Sequence, residues 1–367
     1  MSQKTILRET TQMTSRRLRV AIVGLRHLHP RLYMPHFSGS GLTDVIAVVE
    51  KDPALRNQFS GEFGVKAYAS IDDLLRADKP DIAAIFLPHD ECPDTAIVLA
   101  RQGVHLMVEK PTATHAEGAA RIRIAAQEAG VLFTTGYCWR FHPVARECKR
   151  LIESGILGTV VGGEGRCAAG RVERYLKGNS AWMLQKRHSG GGPLFNLGVH
   201  WIDLFRWMLG DEPTEASGQN VKVNKQYDIE DNSFAHIRFS KGAVVALDIS
   251  YTVPNAYPYS RDLYISVRGT KGCLSWAPAF EGERDVLLVC SDAPEFAGSP
   301  LRKVEFELDR TPGYGGIMGM TYVRRFAEAV LKKKQPDISG DDAVAALRVV
   351  EAIYKSAKSG RIARIEG

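Results

Sequence analysis

The sequence predicts an α/β protein in two parts: a doubly wound parallel sheet over residues 17–137, then an α+β part over 138–367 built on a mostly antiparallel sheet. Three observations carry this. From Leu18 to Tyr137 short apolar runs alternate with helical segments, the signature of a parallel sheet joined by crossovers. From Gly158 onward the pattern changes to long β-type runs with no helices between them, which antiparallel or mixed pairing accommodates. A length of 367 residues also exceeds what one ordinary hydrophobic core organises.

In the first part the strand segments are 18–24, 45–50, 81–87, 105–109 and 131–136. Helices fit 53–63, 92–102 and 115–129, the last closed by Gly130 in the left-handed cap position. A helix over 143–154 links the parts. Strands then follow at 158–166, 221–225, 233–239, 243–252, 263–268, 272–276 and 285–290, turned by Ser240-Lys241-Gly242 and by residues 269–272. Two helices close the chain, at 319–334 and 339–359; the second opens on Ser339 with Asp342 three residues on, a capping-box pattern, and stops at Gly360. Residues 1–16 are polar and read as a flexible leader without the apolar stretch of a signal peptide.

The net charge of +6 is spread over scattered lysines and arginines, with no basic stripe or zinc-finger spacing, so the chain is expected to bind no nucleic acid. A mild positive field suits anionic cofactors or substrates instead. Cys92, Cys138, Cys148, Cys167, Cys273 and Cys290 are dispersed, which predicts reduced thiols, no disulfides and a cytoplasmic location. No apolar run approaches the roughly 20 residues of a membrane span, so no membrane association is expected.

The apolar run His105-Leu106-Met107-Val108 ends on Glu109-Lys110-Pro111. A lysine there stands at the carboxyl end of a buried strand, where open α/β sheets bind ligands, beside a proline that cannot extend the sheet. Partial desolvation lowers its pKa toward neutrality, as proton transfer requires. About ninety residues on, Gly190-Gly191-Gly192-Pro193 announces a helix start, and the helix that follows is apolar except for Asn196, His200 and Asp203 at i, i+4 and i+7. Three polar groups on one line of a buried helix imply mutual hydrogen bonding or a polar cavity.

The first strand ends Gly24-Leu25-Arg26-His27-Leu28-His29, where a dinucleotide-binding sheet carries G-x-G-x-x-G. Only Gly24 is kept; Arg26 and His29 stand in the other glycine places, and Arg26 is suited to donate to a phosphate oxygen. Glu50, ending the second strand, is placed to accept from the adenosine ribose hydroxyls and to repel a 2′-phosphate, favouring NAD, with Lys51 beside it acting against that preference. Leu87-Pro88-His89, after the 81–87 strand, should border the cofactor. His27, His29 and His36 are not expected to hold a metal, since no carboxylate cluster accompanies them in sequence.

Together these pieces resemble the Gfo/Idh/MocA family, the nicotinamide-dependent relatives of glucose-fructose oxidoreductase and inositol dehydrogenase. The likeness covers nearly the whole chain beyond the leader. It rests on Glu109-Lys110-Pro111, on 136–143 with Tyr137 and Arg140, on 190–203, on Arg268 to Gly272, and on the closing 352–360. The resemblance implies a Rossmann domain, a second domain on a large open sheet, an active site between them, and subunits paired sheet to sheet as a homodimer or homotetramer. It implies that Lys110 exchanges the substrate hydroxyl proton, that His200 stands beside it, and that Asn196, where relatives often have aspartate, binds a substrate hydroxyl. Cofactor contacts are expected from residues 24–28, Glu50, Lys51, Leu87, Pro88, His89, Glu109, Lys110, Pro111, Arg140 and Trp182. Met183 departs from the usual arginine after that tryptophan, a loss that Lys186 or Arg187 is positioned to offset. Gly313-Tyr314-Gly315-Gly316 is expected as a lip over the site.

The expected activity is NAD-dependent, or NADP-dependent, oxidation of a secondary hydroxyl, or reduction of its ketone, in a sugar, cyclitol or sugar derivative. An NAD-assisted glycoside-cleaving enzyme would differ by showing no net change in reduced nicotinamide. A non-catalytic nucleotide or sugar sensor of the same fold would not need the pairing of Lys110 with His200.

Overall fold

In the computed structural model, which describes residues 16–254, 256–257, 260–279 and 283–366, the first part forms a six-stranded parallel sheet of order β3-β2-β1-β4-β5-β6. Its elements are β1 (Leu18–Val23), α1 (Pro30–Gly39), β2 (Thr43–Val49), α2 (Pro53–Phe63), β3 (Lys66–Tyr68), α3 (Ile71–Asp78), β4 (Ile82–Ile85), α4 (Cys92–Arg101), β5 (His105–Val108), α5 (Ala116–Glu128) and β6 (Phe133–Thr135). Strands β1 and β4 are apolar almost throughout because helices cover both faces of the sheet. The chain leaves β1 toward β2 on one side and returns to β4 on the other, so the crevice opens at the carboxyl ends of these strands. Asp52 caps α2 by accepting from the amides of Ala54 and Leu55, and Ser70 caps α3.

Three elements of this part escaped the sequence reading, α1, β3 and the short helix α3. Helix α1 carries Pro35 in its interior and a polar, histidine-bearing sequence, and β3 is only three residues long and largely exposed. Neither offers a clean apolar period. Of the predicted leader, residues 1–15 lie outside the described residues, and Arg16 pairs with Asp81 at 2.7 Å.

Helix α6 (Pro143–Glu153) leads into a nine-stranded sheet of order β14-β13-β12-β11-β7-β10-β9-β8-β15, in which, among the described residues, only β7 and β10 pair in parallel. After β7 (Val160–Ala169) come α7 (Glu173–Lys177), a π-helical turn (Leu194–Gly198), α8 (Val199–Leu209), β8 (Pro213–Val221), β9 (Asn232–Phe239), β10 (Val244–Ser250), β11 (Arg261–Gly269), β12 (Gly272–Trp276), β13 (Arg284–Ser291), β14 (Leu301–Glu307), α9 (Ile317–Lys332), α10 (Gly340–Ser359) and β15 (Ala363–Arg364). Strand β8 precedes the 221–225 segment expected for it, because its polar, glycine-containing sequence masks the alternation. Strand β14 was missed for a related reason: it is an edge strand whose charged residues read as surface.

Helix α8 lies on the inner face of this sheet. A Cβ at Gly165 of β7 would stand 2.4 Å from the Trp201 indole and 2.8 Å from the Phe205 ring, so only glycine lets the helix approach this closely. Helix α10, with the capping box Ser339/Asp342 as expected, packs on β8 and also on α5, and so joins the two parts. All six cysteines are free. Among the described residues, no helix is long and apolar enough to cross a membrane.

Candidate active site

Lys110 follows β5, whose Leu106, Met107 and Val108 are buried, and is itself only 2% exposed. Its Nζ donates to two acceptors of one residue, the Asn196 side-chain Oδ1 and the Asn196 backbone carbonyl, each at 2.7 Å. Burial lowers the amine from its ordinary value to about 8; Glu109 opposes this and Arg174 adds to it. A buried lysine without a salt-bridge carboxylate, held by an amide, can take or give a proton near neutral pH.

Asn196 belongs to the π-helical turn, where the Val199 N–H reaches back to the Leu194 carbonyl. Such turns widen the backbone and recur at functional sites. Its amide nitrogen donates to the hydroxyls of Tyr175 and Tyr251, which fixes Oδ1 toward Lys110. The predicted line of three polar residues therefore divides. Asn196 and His200 line the same cavity with Lys110, and His200 is kept neutral by burial, reinforced by Lys110 and His29. The Nδ1 of His200 is buried with no protein partner.

Asp203 points elsewhere. It accepts from Arg140 Nε at 2.8 Å and from Arg140 Nη2, which also donates to Asp342 at 2.7 Å, while Nη1 donates to the Asp337 carbonyl at 3.2 Å. This corrects the expectation that Arg140 touches the cofactor. Its guanidinium is committed to a buried ion-pair network that ties the segment after β6 to α8 and to the start of α10.

The cofactor cradle lies at the ends of β1, β2 and β4. A cavity of about 140 Å³ is lined there by Gly24, Arg26, Glu50, Lys51, Ser70, Leu87, Glu91 and Thr95 among others. Gly24 has φ +89°, and a Cβ on it would meet Leu87 Cδ2 at 2.7 Å, so the first glycine of the fingerprint is sterically required. Glu50 accepts from the Leu25 amide at 2.8 Å and from the Asp52 amide at 3.0 Å, which ties together the segments that follow β1 and β2. Arg26 pairs with Glu91 at 2.7 Å, and its carbonyl accepts from the Trp182 indole N–H at 2.6 Å. His89, Trp182 and His27 form one ring cluster, with His89 Nδ1 and the Ser189 carbonyl 2.9 Å apart. Leu28 lines the Lys110 cavity, and Pro88 accepts from the Glu91 amide at the start of α4. Pro111 follows a cis peptide bond. The cavity, the glycine and the start of α1 together fit a dinucleotide.

Two expectations about histidines and charges need correction. A carboxylate does accompany His27 and His29: Glu109 Oε2 is 3.2 Å from His29 Nδ1, and one ligand atom from each of the three residues lies within 4.8 Å of the others. The sequence separation of about eighty residues concealed this. His36 is not part of the group; its Nε2 is 2.8 Å from the Tyr314 carbonyl. Neither Lys186 nor Arg187 replaces the missing arginine beside Trp182. Lys186 stands over the Tyr354 ring, Arg187 is exposed, and Arg174 and Arg261 line the cavity with Met183 instead. The predicted lip is anchored: Tyr314 packs on His29 with ring centroids 3.8 Å apart, and its amide donates to Leu32 of α1 at 3.0 Å. Tyr175, Arg174 and Arg261, which line the cavity as well, had no motif to mark them.

Comparison with known proteins agrees with this geometry. Residues 18–137 match the model of an oxidoreductase family with an NAD-binding Rossmann fold, and residues 145–275 match the GFO/IDH/MocA C-terminal domain. The 1,5-anhydro-D-fructose reductase of Ensifer adhaerens is 26% identical over 331 residues, covering 88% of this chain and 91% of that protein. The scyllo-inositol 2-dehydrogenase (NAD(+)) of Bacillus subtilis (strain 168) is 25% identical over 355 residues, with 94% and 95% covered. The solved structure of a levoglucosan dehydrogenase with NADH and levoglucosan superposes with a TM-score of 0.83 at 19% identity, over 96% of this chain and 100% of that one, a likeness of fold.

Proposed function

This chain belongs to the Gfo/Idh/MocA family of NAD-binding oxidoreductases, and we propose that it oxidises a secondary hydroxyl of a sugar, cyclitol or sugar derivative, or reduces the corresponding ketone, with Lys110 as the group that moves the hydroxyl proton. The observation that carries this reading is the Lys110–Asn196 contact, a buried amine tuned to about 8 and facing a cavity shared with His200. When bound, the nicotinamide accepts or returns the hydride. In the oxidative direction neutral Lys110 takes the hydroxyl proton; in the reductive direction its ammonium gives one back. His200, neutral and with Nδ1 unpartnered, orients that hydroxyl by hydrogen bonding. Asn196 positions the amine, since its own amide is engaged by Lys110 and two tyrosines. Incubation with NAD⁺ or NADP⁺ and a panel of sugars, polyols and inositols, followed by reduced-nicotinamide absorbance, tests the reading. Glycoside cleavage without net reduced nicotinamide would favour the glycoside-cleaving alternative, and no turnover of any kind would favour a sensor.

We read Glu50 as selecting NAD. It lines the groove at the end of β2, and repulsion of a phosphate dianion bound there amounts to about 1 kcal/mol per charge pair at 4 Å even in water. NAD is expected to bind at least roughly fivefold more tightly than NADP, and Glu50→Ala should narrow that ratio while weakening both, because Leu25 and Asp52 lose their acceptor. Calorimetry on the two proteins checks this, and tighter NADP binding to the unmutated chain would show that Lys51 and Arg26 govern the pocket.

The outer face of the nine-stranded sheet exposes Phe234, Val286 and Leu288 and carries the ion pairs Arg166–Asp262 and Arg284–Glu305. We propose that two subunits pair over this face and that the protein works in the cytoplasm, in keeping with its free thiols. Sedimentation at micromolar concentration should give a dimer or a dimer of dimers; a species of 40.5 kDa alone would refute it.

A further inference from the structure

Cys92, Cys138, Cys148 and Cys167 are buried, whereas Cys273 is exposed and Cys290 partly so. These last two face each other across adjacent antiparallel strands, Cys273 of β12 standing directly opposite Cys290 of β13. Residues paired in this way project to the same face of a sheet. That face is the outer one, since the neighbouring pair, Leu274 and Val289, is buried on the inner one. The Cys273 thiol hydrogen bonds with that of Cys290. The same row continues to both sides: Arg268 of β11 opposes Cys273 and Leu301 of β14 opposes Cys290, both exposed. Cys273 is the second residue of β12 and Cys290 the last but one of β13, so the pair lies at the strand ends, on a margin of the face assigned above to subunit pairing.

The pairing permits a disulfide. The Asp292 amide donates to the Lys271 carbonyl at 2.7 Å, and the alternation of an antiparallel ladder then makes Cys273 and Cys290 a hydrogen-bonded pair. The Cα atoms of such a pair are about 5.5 Å apart, inside the range a disulfide spans. Their Cβ atoms stand wider than that bond prefers, so closing it draws the strands together and leaves a strained bond that an external thiol readily opens. Burial is the largest influence on the Cys273 thiol and raises it above its ordinary value; Cys290 adds to this and Arg268 opposes it. The pair therefore rests as a protonated dithiol, and reaction with an oxidant begins from the thiolate fraction of the more exposed sulfur, beside a guanidinium. This agrees with a reducing compartment, where protein disulfides are transient.

We propose that Cys273 and Cys290 form a redox modification site, a dithiol that a peroxide closes to a disulfide within one subunit and a thiol reopens. With hydrogen peroxide, the Cys273 sulfur attacks one oxygen, the O–O bond breaks, and a sulfenic acid and one water result. The Cys290 sulfur then attacks Cys273, the S–S bond forms, and the sulfenic hydroxyl leaves as a second water. Two electrons pass from the sulfurs to the peroxide, and both thiol protons end in the waters. The product joins β12 to β13 covalently beside β14, the polar strand at the sheet edge. The site is independent of the oxidoreductase reading, since neither cysteine lines the Lys110 cavity or the groove proposed for the dinucleotide.

The test uses the full chain, reduced and then freed of reductant. Thiol titration of the native protein should detect Cys273 and Cys290 and leave the four buried cysteines unreacted. A small excess of hydrogen peroxide should abolish both reactive thiols with a mass loss of about 2 Da per chain. Peptide mapping should join Cys273 to Cys290, and dithiothreitol should restore the two thiols. Cys273→Ser and Cys290→Ser each remove one partner at a solvent-facing position of nearly the same size. Under the same treatment both variants should gain oxygen at the remaining thiol, in steps of about 16 Da, and form no internal disulfide. Oxygen addition to the unmutated protein without the Cys273–Cys290 link, a disulfide between subunits in its place, or thiols that stay titratable throughout would each overturn the proposal.

Discussion

Lys110→Ala is expected to lower kcat by roughly 10² to 10⁴-fold, the range general acid–base catalysis supplies, with cofactor affinity nearly unchanged. Gly24, Glu50, Arg26 and Leu87 line the groove proposed for the dinucleotide, whereas Lys110 lines the inner cavity. Steady-state kinetics paired with calorimetric NAD binding measure both. A variant that keeps full turnover would remove Lys110 from the reaction. A variant that loses NAD binding in proportion to turnover would make it a cofactor ligand.

The second large effect falls on stability. Asp203→Ala leaves the Arg140 guanidinium buried with Asp342 and the Asp337 carbonyl as its remaining partners. Breaking one side of a buried ion pair costs about 3–5 kcal/mol, and the surviving Asp342 contact places this case near the lower end. Urea unfolding should show a loss of about 3 kcal/mol in the variant. Because Asp203 faces away from the cavity, KM in the folded variant should move little. A loss of activity without a loss of stability would return Asp203 to the active site and contradict the ion-pair assignment.

The fold was legible where a local pattern exists. Alternating apolar runs and helices, Gly130 and Gly360 as caps, and the Ser339/Asp342 box all appear where expected, because each depends on neighbours within a few residues. The misses share a cause. Strand β3 is too short for a period, and β8 and β14 are polar edge or near-edge strands. In the site, Glu109-Lys110-Pro111 and the 190–200 stretch were readable because strand ends and helix starts are local features. Arg140 was misread because its partners lie 63 and 202 residues away and no spacing rule links them. Arg174 was unreadable because no motif marks it, although Gly170 makes room for it and it donates to the neighbouring Tyr175 hydroxyl. The division of Asn196, His200 and Asp203 between two environments follows from the fold around the helix, since α8 meets the cavity on one side and α10 on the other.

The Lys110–Asn196 contact is the centre of the account. Oxidation needs the neutral amine, so its rate should rise with pH and level off above an apparent pKa near 8, while reduction, which needs the ammonium, should fall through the same range. Asn196→Asp would place a carboxylate against Nζ where the amide oxygen is now 2.7 Å away. An opposite charge at that distance favours the protonated amine by roughly one to three pH units, so the rising limb of oxidation should move to higher pH by that amount. Measured pH–rate profiles for the two proteins showing this displacement would establish Lys110 as the titrating base held by Asn196; superimposable profiles would contradict it.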